Sequence, residues 1–395
     1  MTRKVPSEPS SSAELTLAAR THAAAMLERL EAYVRHETPT GDKARLDALG
    51  DRLVDQHSQL GGVAQRIPGA GGEHVIVAHP GSDKFSDEAP ILLVGHHDTV
   101  WPVGTIDDDV PWRLTDGPRG QIAHGPGAYD MKSGLVVIET ALALLNELML
   151  PHRPIRVVVS ADEEIGSPTA TDVVTAAASG AVAALGFESP HPDGALKVGR
   201  RGSTRVRISV AGREAHAALD PEAGVSAIDE LVDQLTRVRR IAAEAPGEVL
   251  CNVGTVAGGG KTNVVPAAAS ADIGLRFVDA STESSVLEAV RTLEPVRDGA
   301  TVDVEILSRR PAWSPTPETD ALFEQARAAA AAVGQELDGY PAAGAADTNT
   351  TGALGIPTLD GLGPVGAGAH AKHEQVVVAS LPERAALVAA LLTAL

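Results

Sequence analysis

Short apolar runs separated by helical patterns dominate the first half of the chain. Runs of strand length occupy 89–97, 155–161 and 181–188, while the patterns at 13–35 and 133–150 predict helices. Apolar strands that alternate with helices are typical of a largely parallel sheet. We therefore predict an α/β fold with a mostly parallel central sheet and helices on both of its faces.

The pattern changes near residue 199. From there to about residue 308, strand and helix patterns follow one another in the order β-α-β-β-α-β. This order is that of a split βαβ unit, which forms a two-layer, ferredoxin-like domain. Helix and apolar strand patterns then resume. We predict a discontinuous larger domain at 1–198 and 309–395, with 199–308 inserted into it.

The composition bears on domain number and partners. A chain of 395 residues exceeds what one ordinary core needs, which favours two domains. With 33 Lys and Arg against 52 Asp and Glu, the formal net charge is −19, which opposes binding to nucleic acid. The stretch 197–207 is locally basic, and either a solvated strand face or a site for an anionic group would explain it.

Cysteine content and hydropathy bear on location. Cys251 is the one cysteine in the sequence, so no disulfide can form within the chain. The first residues lack an apolar stretch of signal-peptide length, and no later run approaches the length of a membrane span. We expect a cytoplasmic protein with no membrane partner.

Polar side chains follow each of the three apolar strands. Because the carboxyl ends of parallel strands meet at one edge of a sheet, these side chains should lie close together. Acidic groups that are buried together need ion pairs or a metal. A solvated turn or a helix cap could explain single acids, but not their coincidence with a histidine-aspartate pair. The residues are His96, His97, Asp98, Asp162, Glu163, Glu164 and Glu188.

Strand geometry distinguishes the two adjacent histidines. Side chains alternate along a strand, so His96 and Asp98 share one face and His97 points to the other. A metal-binding imidazole usually donates its second ring N–H to a carboxylate, and Asp98 is well placed to accept it. His96 is therefore the better ligand candidate, and we expect His97 to pack beside the site.

One more carboxylate follows a stiff loop. Glycine and proline residues at 124–134 predict a tight turn, after which Asp130 enters a helix that starts near Ser133. Both a helix-capping aspartate and a carboxylate that bridges two metal ions are compatible with this position.

Five motifs resemble those of a family of dizinc metallopeptidases and deacylases. The family includes carboxypeptidase G, acetylornithine deacetylase and succinyl-diaminopimelate desuccinylase, and the resemblance is closest to the carboxypeptidase G branch. The resemblance covers nearly the whole chain. In the fourth motif, this sequence differs from the family pattern because Ser189 stands before the proline. The motifs are, in order, GHHDTV, GPGAYDMKSG, ADEEIGS, FESP and AHAKHEQV.

The resemblance implies a set of zinc ligands, for which Co²⁺ or Mn²⁺ would be substitutes. Asp130 would bridge two Zn²⁺ ions, with His96 and Glu188 on one ion and Glu164 and His370 on the other.

The last motif offers two histidines as ligands. His370 stands four residues before Glu374, as the family motif requires, whereas His373 directly precedes that glutamate. We therefore choose His370. The resemblance also implies a cis peptide bond between Asp130 and Met131.

Catalytic roles follow from the same resemblance. Glu163, which is next to a ligand but is not one itself, would be the general base, and Asp98 would support His96. In the segment GREAHAA, His216 would reach the active site of a partner subunit and stabilise the oxyanion. This implies a homodimer formed through 199–308, which would act as a lid and dimerisation domain.

Three residues are implied as substrate-binding groups. Asn263 and Arg276 lie in TNVVPAAASADIGLRF, and a guanidinium fork suits a substrate carboxylate. Asp347 lies in GAADTNT, which resembles a substrate loop, but Ala346 replaces the usual small hydroxyl residue or glycine.

Together these features imply a zinc-dependent hydrolase of an amide or peptide bond beside a free carboxylate, as in glutamate carboxypeptidases. Its substrate would be a small molecule or a short peptide. An N-acyl amino acid deacylase is the alternative within this class. A catalytically inactive metal-binding protein is an alternative outside it, but Glu163 and His216 argue against it because neither is needed to hold zinc.

Overall fold

The computed structural model describes residues 9–395, in which helices and strands alternate. In that range the α-helices are α1 (Pro9–Thr21), α2 (Ala23–Arg35), α3 (Lys43–Gln59), α4 (Ser133–Glu147), α5 (Ala170–Ala178), α6 (Ala227–Ala243), α7 (Ala280–Arg291), α8 (Pro317–Ala332), α9 (Thr348–Ala353) and α10 (Ser380–Ala394). The β-strands of the same range are β1 (Val63–Ile67), β2 (His74–His79), β3 (Ile91–His96), β4 (Arg113–Gly117), β5 (Gly120–His124), β6 (Ile155–Ser160), β7 (Ala183–Gly186), β8 (Leu196–Arg200), β9 (Gly202–Ala211), β10 (Val249–Gly258), β11 (Ala268–Phe277), β12 (Thr301–Arg310), β13 (Gly339–Ala342), β14 (Thr358–Leu359), β15 (Gly366–Ala367) and β16 (Gln375–Val377).

The chain divides into two compact units. The first contains the chain up to Gly199 together with Pro315–Ala342 and Ala346–Leu395, and the second contains Arg200–Ser314 and Ala343–Ala345. The insert predicted at 199–308 falls inside the second unit except for Gly199. This unit runs past 308 because β12 continues to Arg310 and because backbone hydrogen bonds join Arg200 to Trp313 in both directions.

The first unit is built on a six-stranded sheet in the order β1-β2-β6-β3-β7-β14. Strands β6, β3, β7 and β14 are parallel to one another, whereas β1 and β2 form an antiparallel edge. Alternate side chains of β3 enter two different clusters. Leu93 belongs to the large core that includes Leu135 of α4, while Leu92 and Val94 pack with Val174 of α5. The predicted sheet with helices on both faces is confirmed.

The helix predicted at 13–35 is wrong as a single element. The structure has two helices there, α1 and α2, which are separated at His22. The hydroxyl group of Thr21 donates a hydrogen bond to the carbonyl of Ala18, and such a side-chain bond competes with the backbone ladder of a helix. At the break between the two helices, Nε2 of His22 is hydrogen-bonded to the Oε2 atom of Glu147 at the end of α4, at 2.8 Å.

The second unit contains an antiparallel sheet in the order β10-β11-β9-β12, with α6 and α7 packed on one face. Val206, Ile208 and Val210 of β9 are buried in this core, as the alternating pattern of the strand requires. The elements follow in the order β9, α6, β10, β11, α7, β12, the order predicted for the insert.

The basic stretch at 197–207 is only partly a solvated strand face. Arg205 and Arg207 lie on the exposed face of β9, where the Nε atom of Arg207 pairs with Asp272 at 2.7 Å. Lys197 and Arg200 are buried instead, because they lie in β8, which pairs with β13. No helix within residues 9–395 has the length and apolar content needed to cross a membrane.

Candidate active site

The polar residues that follow β3, β6 and β7 come together at one edge of the sheet. Strand β3 lies between β6 and β7, so the carboxyl ends of the three strands are neighbours. His96 ends β3, Glu163 starts a short 3-10 turn after β6, and Glu188 lies two residues after β7. This is the edge at which an open parallel sheet binds ligands.

Asp130 lies between two imidazole-carboxylate pairs. One of its oxygens, Oδ1, is 3.2 Å from Nε2 of His96, which is also 3.4 Å from Oε1 of Glu188. The other oxygen, Oδ2, is 3.1 Å from Nε2 of His370, which is also 3.0 Å from Oε2 of Glu164. We call the first group the strand-side position and the second group the loop-side position, with Asp130 shared by both.

The donor atoms around these two positions form two groups that could hold a metal ion, and His370 belongs to neither group. The ligand atoms of His96, Asp130 and Glu164 all lie within 4.8 Å of one another, and so do those of His96, Glu163 and Glu188. The Oε1 atom of Glu164 is buried and has no hydrogen-bond partner among the described residues. Imidazole nitrogens combined with carboxylate oxygens suit Zn²⁺, and clustered carboxylates favour positive charge between them.

The loop that carries Asp130 has little conformational freedom. Gly127 adopts a φ of 71°, and a Cβ atom there would lie 2.5 Å from the side chain of Thr99. A larger residue at this position would therefore displace the loop. The peptide bond between Asp130 and Met131 is cis, as the family resemblance implies.

Asp98 is completely buried and contacts residues of both the strand-side and the loop-side position. The Nδ1 atom of His96 is 3.0 Å from the backbone carbonyl oxygen of Asp98 and 3.3 Å from its Oδ1 atom, and Oδ1 also accepts a hydrogen bond from the backbone N–H of Glu163 at 3.1 Å. Its Oδ2 atom accepts from the backbone N–H of Glu164 at 3.1 Å and from the hydroxyl group of Thr40 at 2.7 Å. Asp98 therefore orients the acidic turn as well as the imidazole. No sequence motif had indicated Thr40.

Positive charge is favoured between the carboxylates. Burial alone would lower the pKa of His96, but its hydrogen bonds to Asp130, Asp98 and Glu188 raise that pKa well above the ordinary value. Hydrogen bonds to Asp130 and Glu164 raise the pKa of His370 to about 11. Burial raises the pKa of Glu164.

The three acids after β6 have different surroundings. Asp162 accepts hydrogen bonds from the backbone N–H groups of Thr169 and Ala170, so its carboxylate stabilises the start of α5. Glu163 is buried, and its carboxylate is close to the strand-side ligands. The roles of Glu163 as the general base and of Glu164 as a ligand stay predictions.

His97 and His373 are the two neighbouring histidines that are not predicted to bind metal. Neither forms an ion pair with a carboxylate among residues 9–395, whereas His370 pairs with Asp130 and Glu164. The ring of His97 is buried without a hydrogen-bond partner in the part of the chain that the structure describes, and burial lowers its pKa to about 4. His373 is exposed.

Asp347, a predicted substrate-binding residue, has a buried carboxylate. It accepts hydrogen bonds from the hydroxyl groups of Ser160, at 2.5 Å, and of Ser167. These two serines flank the segment that carries Glu163, so Asp347 holds both ends of that segment. Its contact with a substrate stays a prediction.

The second unit brings together two of the residues assigned to it. The segments around His216 and Asn263 pair through backbone hydrogen bonds, including one of 3.0 Å from Ala217 to the carbonyl of Asn263. Both side chains are exposed, in loops next to the Ala268 end of β11.

Arg276 lies at the opposite end of β11. Burial and the nearby charge of Arg310, which the sequence analysis had not singled out, lower the pKa of Arg276. The two arginines flank Ser203 in the sheet register. Arg276 lies eight residues along the strand from Ala268, which corresponds to about 27 Å.

The fold and this group of ligand side chains define a metal-dependent hydrolase. A family model described as Peptidase family M20/M25/M40 matches residues 92–394. The chain belongs to this family, and the family predicted from the five motifs is thereby confirmed.

Two relatives and one solved structure illustrate the similarity. Carboxypeptidase G2 of Pseudomonas sp. (strain RS-16) is 30% identical over 378 residues, which cover 93% of this chain and 88% of that protein. A putative succinyl-diaminopimelate desuccinylase of Mycobacterium tuberculosis (strain ATCC 25618 / H37Rv) is 31% identical over 75% of this chain and 80% of its own. The structure of aminopeptidase PepT from Bacillus cereus ATCC 10987 has a TM-score of 0.72 at 22% identity, covers 94% of this chain and 98% of its own, and thus shares the fold.

Proposed function

We propose that the chain is a two-zinc hydrolase of amide or peptide bonds next to a free carboxylate, with an activity like that of a glutamate carboxypeptidase. The observation that carries this proposal is the position of Asp130, whose two oxygens face two separate imidazole-carboxylate pairs. Such an arrangement suits a carboxylate that bridges two metal ions. The similarity to carboxypeptidase G2 supports the substrate class.

The strand-side and loop-side positions would each hold one zinc ion. When bound, the two ions supply Lewis acidity, which polarises the scissile carbonyl group and makes water acidic near neutral pH. Cobalt or manganese suits the same donor atoms.

Glu163 acts as the general base in this proposal. Its carboxylate takes a proton from the attacking water and then delivers it to the leaving nitrogen. Asp98 supports this role because it accepts the backbone N–H of Glu163 and so fixes the turn that carries the base. His216 stabilises the oxyanion of the tetrahedral intermediate by donating a hydrogen bond from its ring.

The second unit supplies the substrate-binding groups. Arg276 binds the free carboxylate of the substrate, and Arg310 beside it adds positive charge. Asn263 contributes hydrogen bonds from its side-chain amide. Because Asn263 and Arg276 lie near opposite ends of β11, a small substrate that contacts both needs residues from two chains.

We infer that this unit also forms a homodimer in which His216 and Asn263 act on the partner's substrate. Strand β10 is an edge of its sheet, and unpaired edges invite pairing with another chain. Beside it, α6 exposes the apolar side chains of Ile228 and Val232, and β10 exposes Val256. An apolar strip next to an open edge suits a second copy of the same surface.

The test is a substrate screen with zinc-loaded protein. An N-acyl-glutamate and the same compound with its α-carboxylate amidated form a matched pair, and release of the free amine is followed. We expect hydrolysis of the first and at least about 100-fold slower hydrolysis of the second, because the arginines would lose their carboxylate. Equal rates for both, or no release from any carboxylate-bearing amide, would refute the proposal. Faster release from N-succinyl or N-acetyl diamino acids would identify a deacylase instead.

A further inference from the structure

The proposed function gives no task to Glu374, although its motif also supplies His370. The Glu374 side chain is completely buried, directly before β16. A buried carboxylate is costly unless it is hydrogen-bonded, so its partners indicate its role.

Four N–H groups donate to the Glu374 carboxylate. Its Oε1 atom accepts the backbone N–H groups of Tyr129, at 2.9 Å, and Asp130, at 3.0 Å. Its Oε2 atom accepts the backbone N–H of Gly127, at 2.9 Å, and the indole N–H of Trp101, at 2.7 Å. These four donors match the roughly four lone-pair sites of an ionised carboxylate. Three of them belong to the loop that carries Asp130.

Glu374 and His370 belong to one tight turn. Backbone hydrogen bonds run from Ala371 to the carbonyl of Gly368, at 2.9 Å, and from Glu374 to the carbonyl of Ala371, at 2.8 Å. The Glu374 carboxylate therefore ties the turn that carries His370 to the loop that carries Asp130.

We propose that Glu374 is a positioning residue that holds Asp130 in register with His370 and so sets the affinity of the loop-side zinc. This inference rests on the proposed function. The strand-side zinc depends on Glu374 less, because its other two ligands are held by inner strands of the sheet: His96 ends β3 and Glu188 follows β7.

The Glu374→Gln substitution tests this with little change in volume. An amide has one oxygen and one NH₂ group, so in either orientation two of the four N–H donors lose their acceptor and face another donor. The Trp101→Phe substitution removes a single donor and leaves the three backbone bonds intact. The two variants therefore form a graded pair.

Glu230 in the second unit offers a matched control. It is also completely buried, and its carboxylate accepts the backbone N–H groups of Val296 and Arg297, each at 2.9 Å. In the Glu230→Gln variant, buried N–H groups likewise lose a carboxylate acceptor, but this carboxylate contacts no candidate metal ligand. It should reduce stability without changing zinc binding.

The measurement is the stepwise affinity for Zn²⁺, obtained by competition with a chromogenic chelator, together with the visible spectrum of the Co²⁺ form. We expect Glu374→Gln to retain one tight zinc and to bind the other about 10- to 100-fold more weakly. Trp101→Phe should weaken the binding of the same zinc ion by a smaller factor. His370→Ala, which lacks a loop-side ligand, provides the reference spectrum for loss of that ion.

The outcomes separate this inference from the proposed function. Two unchanged zinc affinities in Glu374→Gln, or an equal loss in Glu230→Gln, would overturn the role of Glu374 alone. Weaker binding of the strand-side zinc alone would also overturn that role. In that case the Co²⁺ spectrum of Glu374→Gln would differ from that of His370→Ala. A wild-type chain that binds fewer than two zinc ions would overturn both.

Discussion

Single carboxylates organise the candidate site through backbone N–H groups. Asp98 accepts those of Glu163 and Glu164, and Glu374 accepts those of the loop that carries Asp130. Motif spacing identified the candidate ligands because each follows a strand or lies in a short loop. It could not identify Thr40 or Trp101, since their contacts join segments far apart in the chain.

At this scale, replacing Glu163 by glutamine should abolish most of the turnover and spare metal binding. An amide cannot accept the water's proton, so kcat should fall about 100-fold or more. The metal content of the same sample must also be measured, to show that the variant still binds zinc. Glu73→Gln, which removes a partner of Arg66, is the control and should keep normal turnover. Near-normal turnover in zinc-replete Glu163→Gln protein would rule out this general base.

Several elements carry features that hydrophobic patterns do not reveal. Strand β4 is exposed along nearly its whole length, so no apolar run marks it. Helix α3 and β2 meet through two buried histidines, His57 and His79, whose ring nitrogens are 3.0 Å apart. Burial lowers the pKa of His57 to about 3 and that of His79 to about 4.

This histidine pair should make the first unit sensitive to acid. Both rings are neutral in the folded protein, while the unfolded chain takes up protons below its ordinary pKa of about 6.5. Stability should therefore decline as the pH falls from about 6.5 to about 4, by at most about 1.4 kcal/mol per pH unit for each ring.

Urea unfolding between neutral pH and about pH 4.5 checks this expectation. The double variant His57→Gln/His79→Gln should show a flatter pH dependence than the wild type, even though its stability at neutral pH is lower. An unchanged slope in the double variant would contradict the assignment.

The arrangement of residues along β11 bears on the whole molecule. His216 and Asn263 lie near one end of this strand and Arg276 near the other. The proposed dimer accounts for this separation because each substrate would receive residues from both chains.

Mixing two inactive variants tests this sharing. In a heterodimer of Glu163→Gln and His216→Ala chains, one of the two sites would have an intact base and an intact partner histidine. Random mixing after reversible dissociation should restore about a quarter of the wild-type activity. Each variant alone should remain inactive. A failure to recover activity, with heterodimers demonstrated by mass, would show that His216 does not act across the interface.

The sequence by itself determined the family, the α/β architecture and the candidate ligands, because these depend on local periodicity and on short motifs at strand ends. Only the tertiary structure decided which partners those side chains have. The two faces of Asp130, the four donors around Glu374 and the His57–His79 pair each join segments distant in sequence. Such contacts depend on how whole helices and strands pack against one another. A local sequence pattern does not predict this packing.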